Sequence, residues 1–473
     1  MSLVKTVEVP QRPVSLLEPI IGSARYVRLV GASGQARNLL AGHTVWTVNS
    51  TAAGGGVAEM LQVLVGYISD LGIPISWLVI TGDAEFFAIT KRLHNQIHGD
   101  RAGGPLGAAE ADHYAQILAA NAAGLLGRIQ PGDVVLLHDP QTAGLIEPLA
   151  QAGAYVVWRC HIGVDWENDA TRAGWDFLRP HLTSAHAYVF SRREYVPSWL
   201  PPGKVSIIPP SIDPFSPKNQ DLDAATVRAI LVTLGVLEDA SPQVPTRFVR
   251  RNGDPGTVTR PAVITGEGRP GHGDPVLLQV SRWDRLKDMA GVMRGFADHV
   301  ARGAGYLILA GPAVTGVTDD PEGAAVYREC LRQWHDLPPA TRACILLVTL
   351  PLDDIDENAA MVNALQRHAT VIAQKSLAEG FGLTVSEGMW KGRPVIGSAV
   401  GGIIDQIAEG TGILLPDPAD LQAFGLAASR LLGDQAEAHR LGLAAHAYVR
   451  ENYVGDIHLM RYARLLSTLI VED

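Results

Sequence analysis

Short apolar runs alternate with longer segments of helical spacing along most of the chain, and this alternation limits the fold more than any other feature. Thr44–Val48 reads as a buried strand and Asn49–Gly56 as a small-residue turn. Val57–Leu71 then carries Met60, Leu61, Leu64, Val65 and Ile68 at helical spacing and stops at Gly72. Ile75–Ile80, Asp133–Leu137, Tyr155–Arg159 and Ala187–Phe190 read as further strands. A second series holds Val276–Val280, Tyr306–Ala310, Cys344–Val348, Thr370–Ala373 and Pro394–Gly397. Strands alternating with helices predict parallel sheets covered on both faces.

Between the two series, Ile207–Asn219 contains Pro209, Pro210, Pro214 and Pro217, which cannot continue a helix and mark an interdomain connector. The expected fold is therefore α/β, with two Rossmann-like domains over residues 1–212 and 213–456. A last helix, over about 457–473, is free to pack on either domain, the first included. Residues 238–274, rich in Gly, Pro and Arg, read as a surface insertion.

A chain of 473 residues with 47% hydrophobic content can bury two such cores. Its formal net charge of −10 argues against a nucleic-acid face, which needs a basic surface. Cys160, Cys330 and Cys344 have no metal-ligand spacing, so neither a disulfide framework nor structural zinc is expected. No uninterrupted run reaches the roughly 18 apolar residues a membrane helix needs. These points predict a cytoplasmic protein without stable membrane association, and a homodimer is left open.

Open parallel sheets bind ligands at the carboxyl ends of their strands, where four segments carry chemistry. Gly54-Gly55-Gly56 lies between strand and helix and would let a ligand approach backbone N–H groups, although a tight turn explains the same glycines. Arg282 and Lys287 follow the strand Val276–Val280 and can set two cations against a diphosphate; a solvated, salt-bridged turn is the plainer alternative. Glu379-Gly380-Phe381-Gly382-Leu383-Thr384-Val385-Ser386-Glu387 sets one carboxylate in a Gly-rich loop and another about one turn into the following helix. Glu379 can meet sugar hydroxyls, Glu387 a ribose diol, and the loop backbone the phosphates between them. Acidic decoration of a helix start is the competing explanation. His138, Asp139, Arg159 and His161 gather at strand ends of the N-terminal domain, where a lone histidine is more often structural.

Taken together, these segments resemble a known group. Glu379–Glu387 matches the E-x7-E motif of the retaining GT-B glycosyltransferases of family 4. Asn49-Ser50-Thr51 with Gly54–Glu59, Glu85-Phe86-Phe87 with Thr90-Lys91 and His94-Asn95, His138-Asp139-Pro140-Gln141, and Trp158-Arg159-Cys160-His161 are similar to the trehalose glycosyltransferring synthase branch, which includes fungal-type trehalose phosphorylases. The resemblance implies GT-B architecture, with two facing Rossmann-like domains. It also implies transfer of glucose from a nucleoside diphosphate glucose, UDP- or ADP-glucose among the candidates, to free glucose, giving α,α-trehalose with retention. In that assignment Glu379 contacts the donor sugar, Glu387 the ribose, Arg282 and Lys287 the diphosphate, and Gly55, Gly56, Gly380, Phe381, Gly382, Leu383 and Thr384 the donor through their loops. His161 lies beside the reacting sugar, and Asp139 and Arg159 hold the acceptor; Glu379, His161 and Asp139 are the candidate catalytic groups. The alternatives are a trehalose phosphorylase, which binds no nucleotide, and a transferase for another sugar or natural-product acceptor.

Asp354-Ile355-Asp356 imitates the DxD of metal-using transferases, but Arg282 and Lys287 can supply the same charge. Asp353, Asp354 and Asp356 therefore read as a polar loop. The expected co-substrate is a sugar nucleotide, with no metal site and no tightly bound cofactor; magnesium is at most stimulatory.

Overall fold

The computed structural model describes residues 4–52, 56–100, 103–238, 244–300, 303–314 and 321–471. The chain divides into two compact units, Met1–Ser211 with Tyr453–Asp473, and Ile212–Asn452.

The first unit is built on strands β1 (Lys5–Val7), β2 (Val45–Asn49), β3 (Ile75–Val79), β4 (Val134–His138), β5 (Tyr155–Cys160), β6 (Ala187–Phe190) and β7 (Val205–Ile207). Their order is β1-β3-β2-β4-β5-β6-β7, with β1 antiparallel at the edge and the others parallel. Chain direction across the sheet reverses between β2 and β4, which makes that pair the topological switch point. Both faces are covered, so β4 is buried at every position: Val135 and Leu137 enter one core, Val134 and Leu136 the other. Asp133, expected inside this strand, falls just outside it because its carboxylate accepts from Thr44 N and Trp46 Nε1, each at 2.8 Å.

The C-terminal helix, Gly455–Val471, belongs to this first unit. Its Tyr462, Ala463, Leu465 and Leu466 complete the core that contains Val134, Leu136 and Val157. Burying each large apolar side chain there contributes about 1.5–3 kcal/mol. Asp456 also pairs with Arg25 on the helix Ser23–Leu39, Arg25 Nη2 donating to Asp456 Oδ1 at 2.7 Å with both side chains buried. Removing one partner of such a pair costs about 3–5 kcal/mol.

The second unit carries a hairpin, β8 (Arg247–Val249) with β9 (Pro255–Thr257), and a seven-stranded sheet. The sheet strands are β10 (Val263–Thr265), β11 (Val276–Val280), β12 (Tyr306–Pro312), β13 (Ile345–Leu350), β14 (Val371–Gln374), β15 (Val395–Ser398) and β16 (Gly412–Leu415). Their order is β10-β13-β12-β11-β14-β15-β16, with β10 antiparallel and the rest parallel. This is the doubly wound Rossmann arrangement, and its switch point lies between β11 and β14.

The segment read as a surface insertion carries strands of its own. Residues 239–243 lie outside the described residues, but the remainder forms the β8–β9 hairpin and supplies β10 to the main sheet. The reason is electrostatic. Asp354 caps the helix Ile355–His368 by accepting from Asp356 N and Glu357 N, each at 3.1 Å, and pairs with Arg250 at 2.7 Å. Asp356 pairs with Arg251 at 2.9 Å, and Glu357 accepts from Thr259 N at 2.6 Å and pairs with Arg260. The Arg250 guanidinium holds the Asp354 carboxyl down at about 2. Asp354 and Asp356 thus pin the hairpin rather than forming a loop, while Asp353 is exposed.

Candidate active site

The donor-side residues converge at the switch point of the second sheet. Leaving β11, the chain runs through Ser281 to Lys287; leaving β14, it runs through Lys375 and Glu379 to the helix Leu383–Trp390. Lys287 Nζ donates to Glu379 Oε2 at 2.5 Å, and the same oxygen accepts from Gln374 Nε2 and Ser376 Oγ, each at 3.3 Å. Gln279 bridges the two loops, donating from Nε2 to Lys287 O at 2.7 Å and accepting at Oε1 from Lys375 N at 3.4 Å, and Leu377 N donates to Leu286 O at 2.8 Å. Behind them, Lys375 is fully buried and its ammonium meets Asp288, a left-handed residue (φ 48°) that caps the helix Met289–His299. Arg282 is 70% exposed and pairs with Asp284 at 3.1 Å.

The Gly-rich loop is shaped by close approach. Gly382 has φ +80°, and a Cβ there would come within 3.0 Å of Glu379 Cγ. Gln406 fixes the other side by donating from Nε2 to Phe381 O at 2.6 Å and Gly402 O at 3.0 Å, and by accepting from Ser386 N at 3.0 Å. Gly380, Gly382, Leu383 and Thr384 remain partly accessible, whereas Phe381 is buried. Glu387 pairs with Lys218 at 3.4 Å. Its backbone carbonyl accepts from the buried Lys391, whose ammonium also bonds Asn219 Oδ1 at 2.8 Å; burial drives the Lys391 pKa well down, with Glu387 opposing. Gln374 Oε1 and Ser398 Oγ, buried at the ends of β14 and β15, have no partner among the described residues, as expected of groups that meet a polar ligand or water.

In the first unit, β4 and β5 bring His138, Asp139, Arg159 and His161 together. Asp139 has φ 63°, a conformation that costs about 1–3 kcal/mol outside glycine. Its backbone N–H donates to Arg159 O at 2.8 Å, and its Oδ1 accepts from His161 N at 2.7 Å. Burial raises its carboxyl to about 7, against the pull of the His161 N–H and the Arg159 charge. His138 Nε2 lies 2.8 Å from Thr47 Oγ1 and its Nδ1 3.0 Å from His161 Nε2. Burial and the nearby Arg159 push His138 down to about 3 and His161 well below its ordinary value, so both rings are neutral near pH 7.

Arg159 is fully buried, and its guanidinium donates to the His161 ring at 3.0 Å, to Ile208 O at 3.0 Å and to the Tyr462 hydroxyl. Of the first glycine loop, Gly54 and Gly55 lie outside the described residues, and Gly56 opens the helix Gly56–Asp70. Asp288, Lys375, Gln406, His458 and Tyr462 escaped the sequence reading. Only Asp288 carried a usable signal, as a capping residue ahead of an apolar helix. Among the described residues, no group of three His, Cys, Asp or Glu side chains is arranged to hold a metal ion.

The family described as trehalose synthase, N-terminal domain, matches residues 47–197, which carry the His138–His161 cluster. Glycosyl transferases group 1 matches residues 355–447, which carry Glu379 and Glu387. The trehalose synthase of Pyrococcus horikoshii is 34% identical over 436 residues, 91% of each chain. This chain belongs to the trehalose synthase family of glycosyltransferases. The trehalose synthase of Rubrobacter xylanophilus is 33% identical over 448 residues, covering 93% of this chain and 94% of that one. A solved α,α-trehalose-phosphate synthase (UDP-forming) from Burkholderia xenovorans, in complex with glucose-6-phosphate, superposes with a TM-score of 0.64 at 15% identity, covering 90% of this chain and all of that one. At that identity it is the GT-B fold that this trehalose synthase relative shares. Among the described residues, no helix is long and apolar enough to cross a membrane.

Proposed function

We propose that the enzyme transfers glucose from a nucleoside diphosphate glucose to free glucose, with retention, and releases α,α-trehalose and the nucleoside diphosphate. The observation that carries this reading is the convergence of Lys287, Glu379 and the 380–384 backbone at the switch point of the second sheet. A diphosphate gains negative charge as it departs. In this reading Lys287 would meet that charge, the exposed Arg282 would add a second cation, and the N-terminus of the helix Leu383–Trp390 would add backbone donors. In this reading the two cations take the part that a divalent ion has in metal-using transferases, and magnesium is at most stimulatory.

Glu379 would accept hydrogen bonds from donor-sugar hydroxyls, and Glu387 from the ribose diol. Neutral His161 would meet the transferred sugar, and Asp139 would hold the acceptor hydroxyl. The acceptor oxygen bonds the anomeric carbon on the face the diphosphate leaves, and the departing phosphate oxygen takes the hydroxyl proton. No protein nucleophile is required.

The deciding experiment measures nucleotide release from UDP-, ADP-, GDP- and dTDP-glucose, each with and without glucose, and assigns the product linkage by NMR. Glucose-dependent release with α,α-trehalose as product supports the reading and names the donor. Release only with another acceptor removes the trehalose assignment. No release from any donor transfers the case to phosphorolysis of trehalose.

A further inference from the structure

Arg159 is a fully buried cation with no carboxylate within salt-bridge distance among the described residues. A buried charge without a direct ion pair is costly even with the Asp139 carboxyl within reach of its field, and an apolar side chain of the same volume would fill the space at lower cost. What the guanidinium adds is direction, because its donors leave a rigid planar fork. One arm points at the imidazole of His161, at 3.0 Å. The opposite arms end on Ile208 O, at 3.0 Å, and on the hydroxyl of Tyr462.

Tyr462 stands on the C-terminal helix, far in sequence from any motif of the reaction. Its ring lies 5.5 Å from the Arg159 guanidinium carbon and 5.2 Å from the His458 ring, and His458 in turn approaches Pro209 O at 3.1 Å. On its other side Tyr462 borders a cavity lined mainly by apolar groups such as Leu61, Leu64, Ile68 and Leu136. Thr47 and His138 are among the few polar groups that line it.

We infer that Tyr462, acting through Arg159, is a positioning residue that fixes the orientation of the His161 imidazole during glucosyl transfer. The inference rests on the proposed role of His161 beside the transferred sugar. It also assigns Arg159 a place behind the site, not in contact with the acceptor. The terminal helix thereby becomes part of the catalytic apparatus as well as of the core.

The test uses the full-length enzyme with Tyr462→Phe, which keeps the ring and its packing and removes only the hydroxyl. Turnover at saturating donor and acceptor falls about 10- to 100-fold, the loss expected when a reacting geometry is displaced by about 1 Å, while donor KM stays within about twofold. In a His161→Ala background the same change has no further effect on residual turnover, because the residue it acts through is gone. Selective 15N-histidine NMR gives a readout independent of activity: the His161 ring shifts move in Tyr462→Phe, while those of His181, elsewhere in the first unit, do not. Should Tyr462→Phe fold poorly, Arg159→Lys, which keeps the charge and loses the fork, replaces it in each measurement. Unchanged turnover with unmoved His161 resonances, or a Tyr462→Phe loss that persists in the His161→Ala background, overturns the inference. A wild-type enzyme that releases no nucleotide overturns the proposed function instead, and the NMR comparison still decides whether Tyr462 orients His161.

Discussion

Lys287 and Glu379 meet at 2.5 Å across loops that leave neighbouring strands, β11 and β14, where the strand order of the second sheet reverses. Both side chains are more than four-fifths buried. Under the proposed function, phosphate oxygens would compete for the ammonium and sugar hydroxyls for the carboxylate. Lys287→Ala is predicted to lower kcat about 100-fold or more, the range seen when one preorganised donor to a developing anion is removed. Nucleotide release under saturating donor checks it, and a loss confined to KM would place Lys287 in ground-state binding alone.

Glu387 pairs with Lys218, and its proposed ligand is the ribose. Glu387→Ala should therefore raise donor KM by about tenfold, the equivalent of roughly 1.4 kcal/mol, and change saturated turnover less. A fall in kcat at unchanged KM would assign Glu387 to chemistry.

Asp139 carries a pH signature. Its carboxyl is raised in the folded protein to about 7 from an ordinary 3.8, so between those values the folded state binds the extra proton. The stabilisation it contributes is full below 3.8 and is lost as pH rises toward 7. Asp139→Asn removes that dependence: relative to the variant, the wild type should lose stability across this interval and then level off. Urea unfolding of both proteins across the interval measures the difference, and parallel pH profiles would refute the assignment.

Gly382→Ala places a Cβ at φ +80° and within 3.0 Å of Glu379 Cγ. Left-handed backbone alone costs about 1–2 kcal/mol in a residue with a Cβ. Relief by shifting the loop would move Glu379 away from Lys287, so activity should fall by more than the change in Tm suggests. Paired thermal-unfolding and turnover measurements check this, and a variant of native activity would show that the loop absorbs the methyl group without disturbing Glu379.

Much of this architecture was legible because periodicity and burial act locally. Ala187–Phe190 and Val276–Val280 are observed with the limits their apolar runs suggest, and Glu379–Glu387 is displayed as a loop followed by a helix. What escaped depends on partners remote in sequence. The strand Val263–Thr265 could not be read from three residues in a polar stretch, because its place is set by pairing with Ile345–Leu350 and by arginines around it that meet the acidic turn at Asp354. Gln406 is equally silent: a lone glutamine becomes a loop anchor only when the fold returns it beside Phe381. Tyr462 meets Arg159 across 303 positions of chain, a separation no local pattern encodes.

The return of the terminal helix to the first unit also sets an order of assembly. Synthesis proceeds from the N-terminus, and domains usually fold as they emerge. Here the core around Val134, Leu136 and Val157 lacks Tyr462, Ala463, Leu465 and Leu466, and Arg25 lacks Asp456, until the last turns have been made. The first unit's core thus draws on segments made both before and after the whole of Ile212–Asn452. A chain cut ahead of Tyr462 would open the core of the unit made first and leave the later unit, Ile212–Asn452, complete.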